Sequence, residues 1–345
     1  MKATLVIPCW NAAGTLARCL DCVRAQTCVD FEAVFVDDGS TDGTSEILRR
    51  AAADDARLRV VVLPENRGVS AARNVGLDAA RGDFVFFADP DDAFRPDMLA
   101  KGIAAMEAVN ADYCVFPYRE RHVGEEGFHV VPLKGGCRHA SNDEILREHL
   151  PRIFGYSADQ IRAWYAGAPL FAHRVHGGVV TCVFRRSLIV QHGVRFDERI
   201  GLYEDALFNC AYMLRARRMT CVDEPLYDYI HAPTGAIARL RGGDYELRNK
   251  LELLRARKEL DARSGGRLTA LYVGSCVFSL CEMLRLIFLR RAPLVSGLRL
   301  VRAYGADPVV RAALRAFPLS WRRPGLAFVV RALRLAFPRP AQSVV

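Results

Sequence analysis

Residues 83–92 read Asp83-Phe84-Val85-Phe86-Phe87-Ala88-Asp89-Pro90-Asp91-Asp92, an aromatic and β-branched run that leads directly into three further carboxylates. The apolar part predicts a buried strand, and Arg81-Gly82 predicts the turn that starts it. Carboxylates at the end of a core strand do not improve packing. A divalent cation that also binds diphosphate oxygens, however, requires one or two carboxylates held at a rigid edge. The alternative is a solvated acidic turn that precedes a helix.

Strand and helix patterns alternate through the first 117 residues. The apolar runs that predict strands are 4–8, 31–36, 58–63, 84–88 and 113–117. Amphipathic spacing predicts the intervening helices at 14–26, from the Ser40-Thr41-Asp42 cap to about 50, at 69–80 and at 96–109. This alternation with short connections predicts an α/β fold with a doubly wound, mostly parallel, Rossmann-like sheet.

Polar or aromatic clusters follow each of the first four predicted strands. These clusters are Pro8–Asn11, Asp37–Ser40, Pro64–Gly68 and Asp89–Asp92. Ligands bind beyond the carboxyl ends of the strands in such a sheet, so we expect the clusters to form one site. No G-x-G-x-x-G follows the first strand and no G-x-x-x-x-G-K-[ST] occurs, so the usual phosphate-binding loops are absent. A nucleotide would instead be held by Asp37 and Asp38, by stacking on Trp10, by Arg73 at the phosphates and by a metal. Trp10 is equally compatible with the core.

Four segments resemble the successive motifs of family-2 glycosyltransferases with the GT-A fold. They are Val6–Asn11, Val36–Asp42, Asn66–Gly76 and Asp89–Asp92. The resemblance is specific over about residues 3–120 and looser to about residue 240. It implies a catalytic domain over 1–240, with a nucleotide-sugar-binding half at 1–118 and an acceptor half at 119–240. The implied class is that of bacterial cell-surface polysaccharide synthesis.

The resemblance also implies a role for individual residues in the donor half. Trp10 would lie against the nucleobase, and Asp38 would bond the base with Asp37 beside it near the ribose. Asp89 would face the ribose or donor sugar, and Asp91 would ligate Mn²⁺ or Mg²⁺ that bridges the diphosphate. Asp92 would shape the loop. The complete set expected to bind the nucleotide sugar, with UDP as the expected nucleotide, is Pro8, Trp10, Asn11, Asp37, Asp38, Arg73, Asp89 and Pro90.

An acidic pair, Glu204-Asp205, opens an apolar helix that is expected to end near residue 214. Acids at a helix N-terminus also occur simply because they complement the helix dipole. By the resemblance, Asp205 is the catalytic base and Glu204 its neighbour, close to acceptor hydroxyls. His231 lies in a segment similar to the one that closes the family's catalytic domain. It would bind the metal or diphosphate, or would be an ordinary loop or core histidine.

The C-terminal part, 241–345, predicts an α-helical extension with a strongly basic surface. From residue 262 onward there are fourteen arginines, no lysine and two acids, a net charge of +12 within a total of +9. Asp307-Pro308 predicts a helix start, and residues 326–337 show a helical apolar face beside arginines. We expect these helices to lie on an anionic membrane surface. Packing on the catalytic domain or on another subunit is the alternative; nucleic acid is not expected as a partner, since no binding motif occurs.

The start of the chain and its cysteines restrict the class of protein further. Met1-Lys2-Ala3-Thr4-Leu5 lacks the pattern of a signal peptide, so we expect a cytoplasmic protein, peripheral on the inner face of the cell membrane. The odd number of cysteines, eleven, and their scatter argue against a disulfide framework or a zinc site. The span at 268–281 is interrupted by charges nearby and is not expected to cross a membrane.

The expected activity is an inverting glycosyl transfer from a nucleotide-diphosphate sugar to a hydroxyl of a glycan or lipid-linked acceptor. Two alternatives remain open. One is metal-dependent phosphotransfer with Asp89 as nucleophile, which leaves Trp10 and Glu204-Asp205 without a role. The other is a catalytically silent membrane-bound scaffold that retains the fold.

Overall fold

The structure is a computed structural model that describes residues 1–133, 138–165, 178–231, 243–288 and 294–316. The chain forms two compact units. The first contains Met1–Ile153 and Val175–Ala238, and the second contains Phe154–Arg174 and Arg239–Val345. We expected the boundary at residue 240, and residues 154–174 to belong to the acceptor half. In the structure, the described part of that segment, residues 154–165, groups with the C-terminal helices instead.

The first unit is built on two sheets. Its strands are β1 Ala3–Cys9, β2 Phe31–Asp37, β3 Leu58–Val62, β4 Phe84–Phe87, β5 Ala93–Phe94, β6 Tyr113–Val115, β7 Tyr118–His122, β8 His129–Val131, β9 Ala140–Ser141, β10 Cys182–Arg185, β11 Arg218–Cys221 and β12 Tyr227–His231. The larger sheet has the order β3-β2-β1-β4-β10-β6-β11-β9. The β1, β2, β3 and β4 strands are parallel, as the alternating pattern predicts.

Helices lie between these strands along the chain. They are α1 Leu16–Arg24, α2 Thr44–Asp54, α3 Val69–Ala79, α4 Met98–Ala108, α5 Asn142–Glu144, α6 Leu150–Phe154, α7 Ala158–Tyr165, α8 Arg186–His192 and α9 Glu204–Met213, with a π-helical turn at Ile145–His149 and a 3₁₀ turn at Val179–Thr181. The first four confirm the predicted helices to within a few residues. Every residue of β1, β2 and β4 is buried, which explains their nearly continuous apolar composition.

The position of β10 differs from the expected pattern. The sequence predicts a strand at 179–184, but residues 179–181 form the 3₁₀ turn, and β10 runs antiparallel to both β4 and β6. An aromatic core lies beside it, in which Phe184 contacts Phe87 and Phe208 edge to face. Phe208 also stacks on Phe196 with ring centroids 4.2 Å apart. This core supports the N-terminal turns of α9.

The smaller sheet, of order β5-β12-β7-β8, is not predicted by the sequence. Its strands are short, and β12 pairs antiparallel with β5 and parallel with β7. Because β5 follows Asp92 directly, this pairing brings β12 to the acidic loop after β4. Only the tertiary structure shows this neighbourhood, since more than a hundred residues separate the two strands.

The second unit is helical over its described residues. Besides α7 it contains α10 Gly243–Arg263, α11 Thr269–Phe288, α12 Leu294–Ala306 and α13 Pro308–Ala316. The predicted start of α13 is confirmed, since Asp307 Oδ1 accepts a hydrogen bond from the Val309 amide at 2.8 Å. Within the described ranges, we find no helix that is both long and apolar enough to span a bilayer. The predicted amphipathic face at 326–337 lies outside the described residues.

The membrane-facing prediction for α13 is wrong for its apolar side. Helical spacing puts Val310 and Leu314 on the apolar side of this helix, and both are buried inside the helical unit. Packing of the C-terminal helices on the catalytic domain or on another subunit stays a prediction. A different helix, α12, carries exposed apolar side chains.

Candidate active site

The carboxyl ends of the parallel strands bring the first three predicted clusters together. Trp10, directly after β1, is 41% exposed, so the core placement of this side chain is excluded. Pro8 is buried within β1 and pairs in register with Val36 of β2. The indole therefore stands at the edge of the sheet where a flat, partly apolar ligand can stack on it.

Asn11 fixes the loop that carries Trp10. Its backbone has a φ of +49°, which is uncommon for a residue other than glycine. The Asn11 amide donates to Ser40 Oγ at 2.8 Å, and Asn11 Oδ1 accepts from the Thr41 amide at 2.9 Å. The side chain predicted to bind the nucleotide sugar thus joins the β1 and β2 loops in this structure.

Asp37 and Asp38 are buried at the end of β2 and are held by hydrogen bonds. Asp38 accepts from the backbone amides of Arg67 and Gly68, both at 2.8 Å. Burial raises the pKa of Asp38, which these two bonds partly offset. Asp37 Oδ1 accepts from the Ser40 amide at 3.1 Å. Asp38 therefore ties the β2 loop to the β3 loop, while Asp37 stabilises the turn of its own loop.

Gly39 makes this close approach of the two loops possible. Its φ is +68°, and a Cβ placed there would lie 2.5 Å from the carbonyl carbon of Glu65. Any side chain would be strained by the backbone and would collide with backbone atoms. The Asp-Asp-Gly sequence therefore has a local structural reason in addition to any ligand that it binds.

The loop Asp89–Asp92 is anchored from two sides. The Tyr227 hydroxyl of β12 accepts from the Asp89 amide at 3.0 Å and donates to Asp92 Oδ2 at 2.8 Å. Asp92 Oδ1 accepts from the Ile230 amide at 2.8 Å. From α1, the Arg18 guanidinium donates to the carbonyl oxygens of Asp91 and Asp92. Asp92 is 1% exposed, and its bonds hold the loop in the way expected of a residue that shapes it.

Arg18 holds both Asp91 and Asp92 through their backbone carbonyl oxygens, but only for Asp92 do Tyr227 and Ile230 also bind the carboxylate. Burial, and then the nearby Asp89, raise the pKa of Asp91 to about 6. Within the described ranges, no three His, Cys, Asp or Glu side chains form a set that could hold a cation. The residues present fit a cation that takes one or two carboxylates and completes its shell with phosphate and water oxygens. Asp91 offers such a carboxylate.

His231, the second predicted metal ligand, ends β12. Its Nε2 lies 3.1 Å from Glu120 Oε2, and its ring stacks on His122 at a centroid distance of 4.5 Å. These two neighbours are residues of β7. A contact of His231 with a metal or diphosphate stays a prediction.

The N-terminus of α9 carries the predicted base. Tyr203 immediately before it has a φ of +72°, a strained conformation that turns the chain sharply into the helix. Asp205 Oδ1 accepts from the Ala206 amide at 2.7 Å. Glu204 is buried, and its pKa is raised to about 7, first by burial and then by the charge of Asp205. The two carboxylates are therefore close enough to affect each other.

Arg73 of α3 connects the donor loop with this helix. Its Nη2 lies 3.0 Å from Asp89 Oδ1, and its Nη1 lies 2.8 Å from Glu204 Oε1. We expected Arg73 to contact phosphates. Its side chain is only 6% exposed and both terminal nitrogens are engaged by carboxylates, so this geometry does not support that prediction.

Sequence reasoning missed two contributors to the site. Arg18 lies among ordinary surface positions of α1, and nothing in its spacing indicates a bond to the acidic loop. Tyr227 stands in a segment that the resemblance includes, but its hydroxyl has a role only because β12 pairs with β5.

Known proteins similar to this chain identify its family. A family model for glycosyl transferase family 2 matches residues 4–158. Succinoglycan biosynthesis protein ExoO of Rhizobium meliloti (strain 1021) is 32% identical over 239 residues, which cover 69% of this chain and 62% of ExoO. The uncharacterized glycosyltransferase EpsJ of Bacillus subtilis (strain 168) is 29% identical over 232 residues, covering 67% of this chain and 61% of EpsJ. The chain thus spans about three fifths of the length of these relatives.

Solved structures agree with this assignment at the level of the fold. The chain is similar to the crystal structure of S. aureus TarS 1–349 in complex with UDP, with a TM-score of 0.67 and 21% identity. The alignment covers 97% of this chain and 88% of the TarS chain. For the same TarS segment in complex with UDP-GlcNAc, the TM-score is 0.59 at 17% identity, and the alignment covers 96% of this chain and 92% of the TarS chain. The predicted GT-A fold with its helical C-terminal part is confirmed. Motif order, fold and the match of residues 4–158 show that the chain belongs to glycosyltransferase family 2.

Proposed function

We propose that the protein transfers a sugar from a UDP-sugar to a hydroxyl of a glycan or lipid-linked acceptor during synthesis of a bacterial surface polysaccharide. The observation that carries the proposal is the pairing of Arg73 with both Asp89 and Glu204, since it brings the donor loop and the base-bearing helix into one site. The names of ExoO and EpsJ, and the UDP and UDP-GlcNAc complexes of TarS, support this substrate class.

The proposed donor site uses the strand ends. Trp10 stacks on the base, and Asp37 and Asp38 are proposed to contact the base and ribose, each carboxylate oxygen having a second lone pair besides the one that accepts its internal hydrogen bond. Asp91 would hold Mn²⁺ or Mg²⁺ against the diphosphate. When bound, such a cation neutralises the charge that develops on the leaving UDP. Arg18 keeps Asp91 in place through the backbone of the loop.

In the proposed reaction, Asp205 accepts the proton of the acceptor hydroxyl. The acceptor oxygen then attacks the anomeric carbon from the side opposite the diphosphate, so that the bond to oxygen forms as the bond to UDP breaks. A single displacement of this kind inverts the anomeric configuration. A product with retained configuration would contradict the scheme.

Measurement of UDP release tests the proposal. With Mn²⁺, a UDP-sugar and acceptor extracts, the wild-type protein should release UDP, and Asp205→Asn should lower kcat about 10²- to 10⁴-fold. UDP affinity measured by calorimetry should stay within about twofold, since the base acts on the acceptor. The matched control is Asp223→Asn, which neutralises an exposed carboxylate between β11 and β12. Equal inactivity of wild type and Asp205→Asn together with absent UDP binding would favour a silent scaffold.

The two alternative functions gain no support from the geometry. Phosphotransfer requires Asp89 as a nucleophile, but Asp89 Oδ1 is paired with Arg73. A silent scaffold has no need of the acidic groups that meet around Arg73. The family assignment favours sugar transfer over both.

Association with an anionic membrane surface forms a second part of the proposal. On α12, Val295 and Leu298 are 64% and 51% exposed, and Arg299 and Arg302 are exposed next to them. These four residues have i, i+3, i+4 and i+7 spacing and share one face. Apolar side chains flanked by arginines are suited to the headgroup region of anionic lipid, where each arginine contributes about 1 kcal/mol.

Vesicle flotation tests this surface. The full chain should float with phosphatidylglycerol vesicles and not with phosphatidylcholine vesicles. Replacing Arg299 and Arg302 by alanine should weaken binding about 30-fold, from two arginines at about 1 kcal/mol each. The matched control, Arg215→Ala with Arg217→Ala, removes the same charge from exposed positions of the first unit. Equal loss in both double variants would contradict the assignment to α12.

A further inference from the structure

Arg73 is a buried cation at the centre of several acids. Its guanidinium bridges Asp89 after β4 and Glu204 at the start of α9, and its Cζ lies 5.5 Å from the centre of the Phe196 ring. The charges of Asp89, Glu204 and Asp205 all favour its protonated form. One positive side chain thus balances carboxylates that the proposed function assigns to opposite substrates.

The arrangement is costly for the fold. Arg73 Nε is buried and has no hydrogen-bond partner among the described residues, so within them the guanidinium uses only its two terminal nitrogens. A buried ion network is often no more stable than apolar residues of similar volume, and an unsatisfied buried donor adds a further cost. Stability alone therefore does not account for an arginine at this position of α3.

We propose that Arg73 is a positioning residue that couples the donor side of the site to the base-bearing helix. Its guanidinium orients the Asp89 carboxylate at the ribose and holds Glu204, and with it the first turn of α9, in register with Asp205. This inference rests on the proposed function and goes beyond it, because it predicts that a change on the acceptor side alters UDP binding without any acceptor present.

The physical basis is competition of two carboxylates for one cation. With Glu204 ionised, the charge of Arg73 is divided between Glu204 and Asp89. In Glu204→Gln the amide oxygen still accepts a hydrogen bond, but its negative charge is gone. Arg73 then pairs more strongly with Asp89 and reduces the ability of that carboxylate to bind the ribose. Removal of Arg73 disconnects the two carboxylates.

A double-mutant cycle on UDP affinity tests the coupling. Calorimetry with UDP and Mn²⁺, in the absence of acceptor, compares wild type, Asp89→Asn, Glu204→Gln and the double variant. We expect Glu204→Gln alone to lower the affinity for UDP about fivefold to tenfold. In the double variant, the affinity should differ by a similar factor from the product of the two single effects. The same cycle in an Arg73→Lys background should be additive within about twofold, because one ammonium does not bridge two carboxylates as a guanidinium does.

Two controls separate coupling from general damage. Glu32→Gln removes another buried carboxylate, paired with Arg59 at 2.7 Å at the opposite end of the sheet, and should leave UDP affinity unchanged. Urea unfolding shows whether each variant is folded, and Arg73→Met repeats the cycle without the charge. An unchanged UDP affinity in Glu204→Gln, or the same non-additivity with and without Arg73, would overturn the inference alone. Absence of UDP binding by the wild-type protein would overturn the proposed function, and the inference with it.

Discussion

Replacement of Tyr227 by phenylalanine removes one hydroxyl that joins two parts of the donor loop. This hydroxyl accepts a hydrogen bond from the Asp89 amide at 3.0 Å and donates one to Asp92 Oδ2 at 2.8 Å. The side chain is fully buried, so water does not replace it easily. Asp92 keeps its bond from the Ile230 amide, but the link between the loop and the β12 side chain is lost.

The expected loss in the free energy of unfolding follows from these two hydrogen bonds. A buried hydrogen bond contributes about 0.5–1.5 kcal/mol, and one to a charged group about 1.5–3 kcal/mol. Because burial and the neighbouring Asp89 and Asp91 raise the pKa of Asp92 well above its ordinary value, we take the lower part of the second range. The expected loss is about 2–4 kcal/mol, which lowers a urea midpoint by about 1 M for a slope near 3 kcal/mol/M.

A second tyrosine serves as the matched control. Tyr212 is also fully buried, accepts from the Arg185 amide at 2.9 Å and donates to the Asp112 carbonyl oxygen at 2.6 Å. It lies near the C-terminal end of α9, about two helical turns from Asp205. Tyr212→Phe should cost a similar free energy of unfolding without touching the donor loop.

The assay combines urea unfolding with calorimetric titration of UDP in the presence of Mn²⁺. We expect Tyr227→Phe to lower the affinity for UDP by about tenfold. Ordering the loosened loop on binding would then reduce the binding free energy by about 1.4 kcal/mol. Tyr212→Phe should change the affinity by less than about twofold. A Tyr227→Phe protein with wild-type stability and affinity, or equal affinity losses in the two variants, would refute the reasoning about the loop.

Three further predictions concern the donor edge. Trp10→Ala should weaken UDP by about 1–3 kcal/mol without lowering the unfolding midpoint, because the indole is half-exposed; calorimetry with an unchanged affinity would place the base elsewhere. Asp91 has a pKa of about 6, so protons should compete with Mn²⁺ below that pH, and Mn²⁺-dependent UDP binding should fall as pH decreases through 6. Asp91→Asn should abolish both this pH dependence and the effect of EDTA on a UDP thermal shift. Gly39→Ala should destabilise the protein by at least about 1–3 kcal/mol through its positive φ and its contact with Glu65, and a wild-type midpoint would contradict the described loop contact.

The donor half of the fold is predictable from sequence because its signals are local. The buried strands β1, β2 and β4 are nearly continuous apolar runs, and each ends at a polar cluster. Helices between them follow the 3.6-residue period. The order of the clusters along one edge then follows from parallel pairing, so the amino-acid pattern alone predicts that Trp10 and Asp91 lie at the same edge of the sheet.

The second half is less predictable because its pairings are distant in sequence. β10 inserts antiparallel between β4 and β6, and β12 joins the two-residue strand β5. Strands this short contain too few residues for a period-two pattern, and most of their partners lie far away along the chain. The apolar side of α13 illustrates the same limit, since its spacing predicts an apolar face but does not say whether lipid or protein covers it.

The amino-acid sequence by itself determined the alternating α/β architecture and the motifs at the strand ends. Only the tertiary structure decided that Trp10 is exposed and that Asp38 ties two loops together. It also decided that Arg73 pairs with Asp89 and Glu204, so that its terminal nitrogens do not face a phosphate site. The reason is physical. Backbone periodicity and burial are set by neighbours in the chain, whereas the partner of a charged side chain is set by which distant carboxylates the completed fold brings within hydrogen-bond distance.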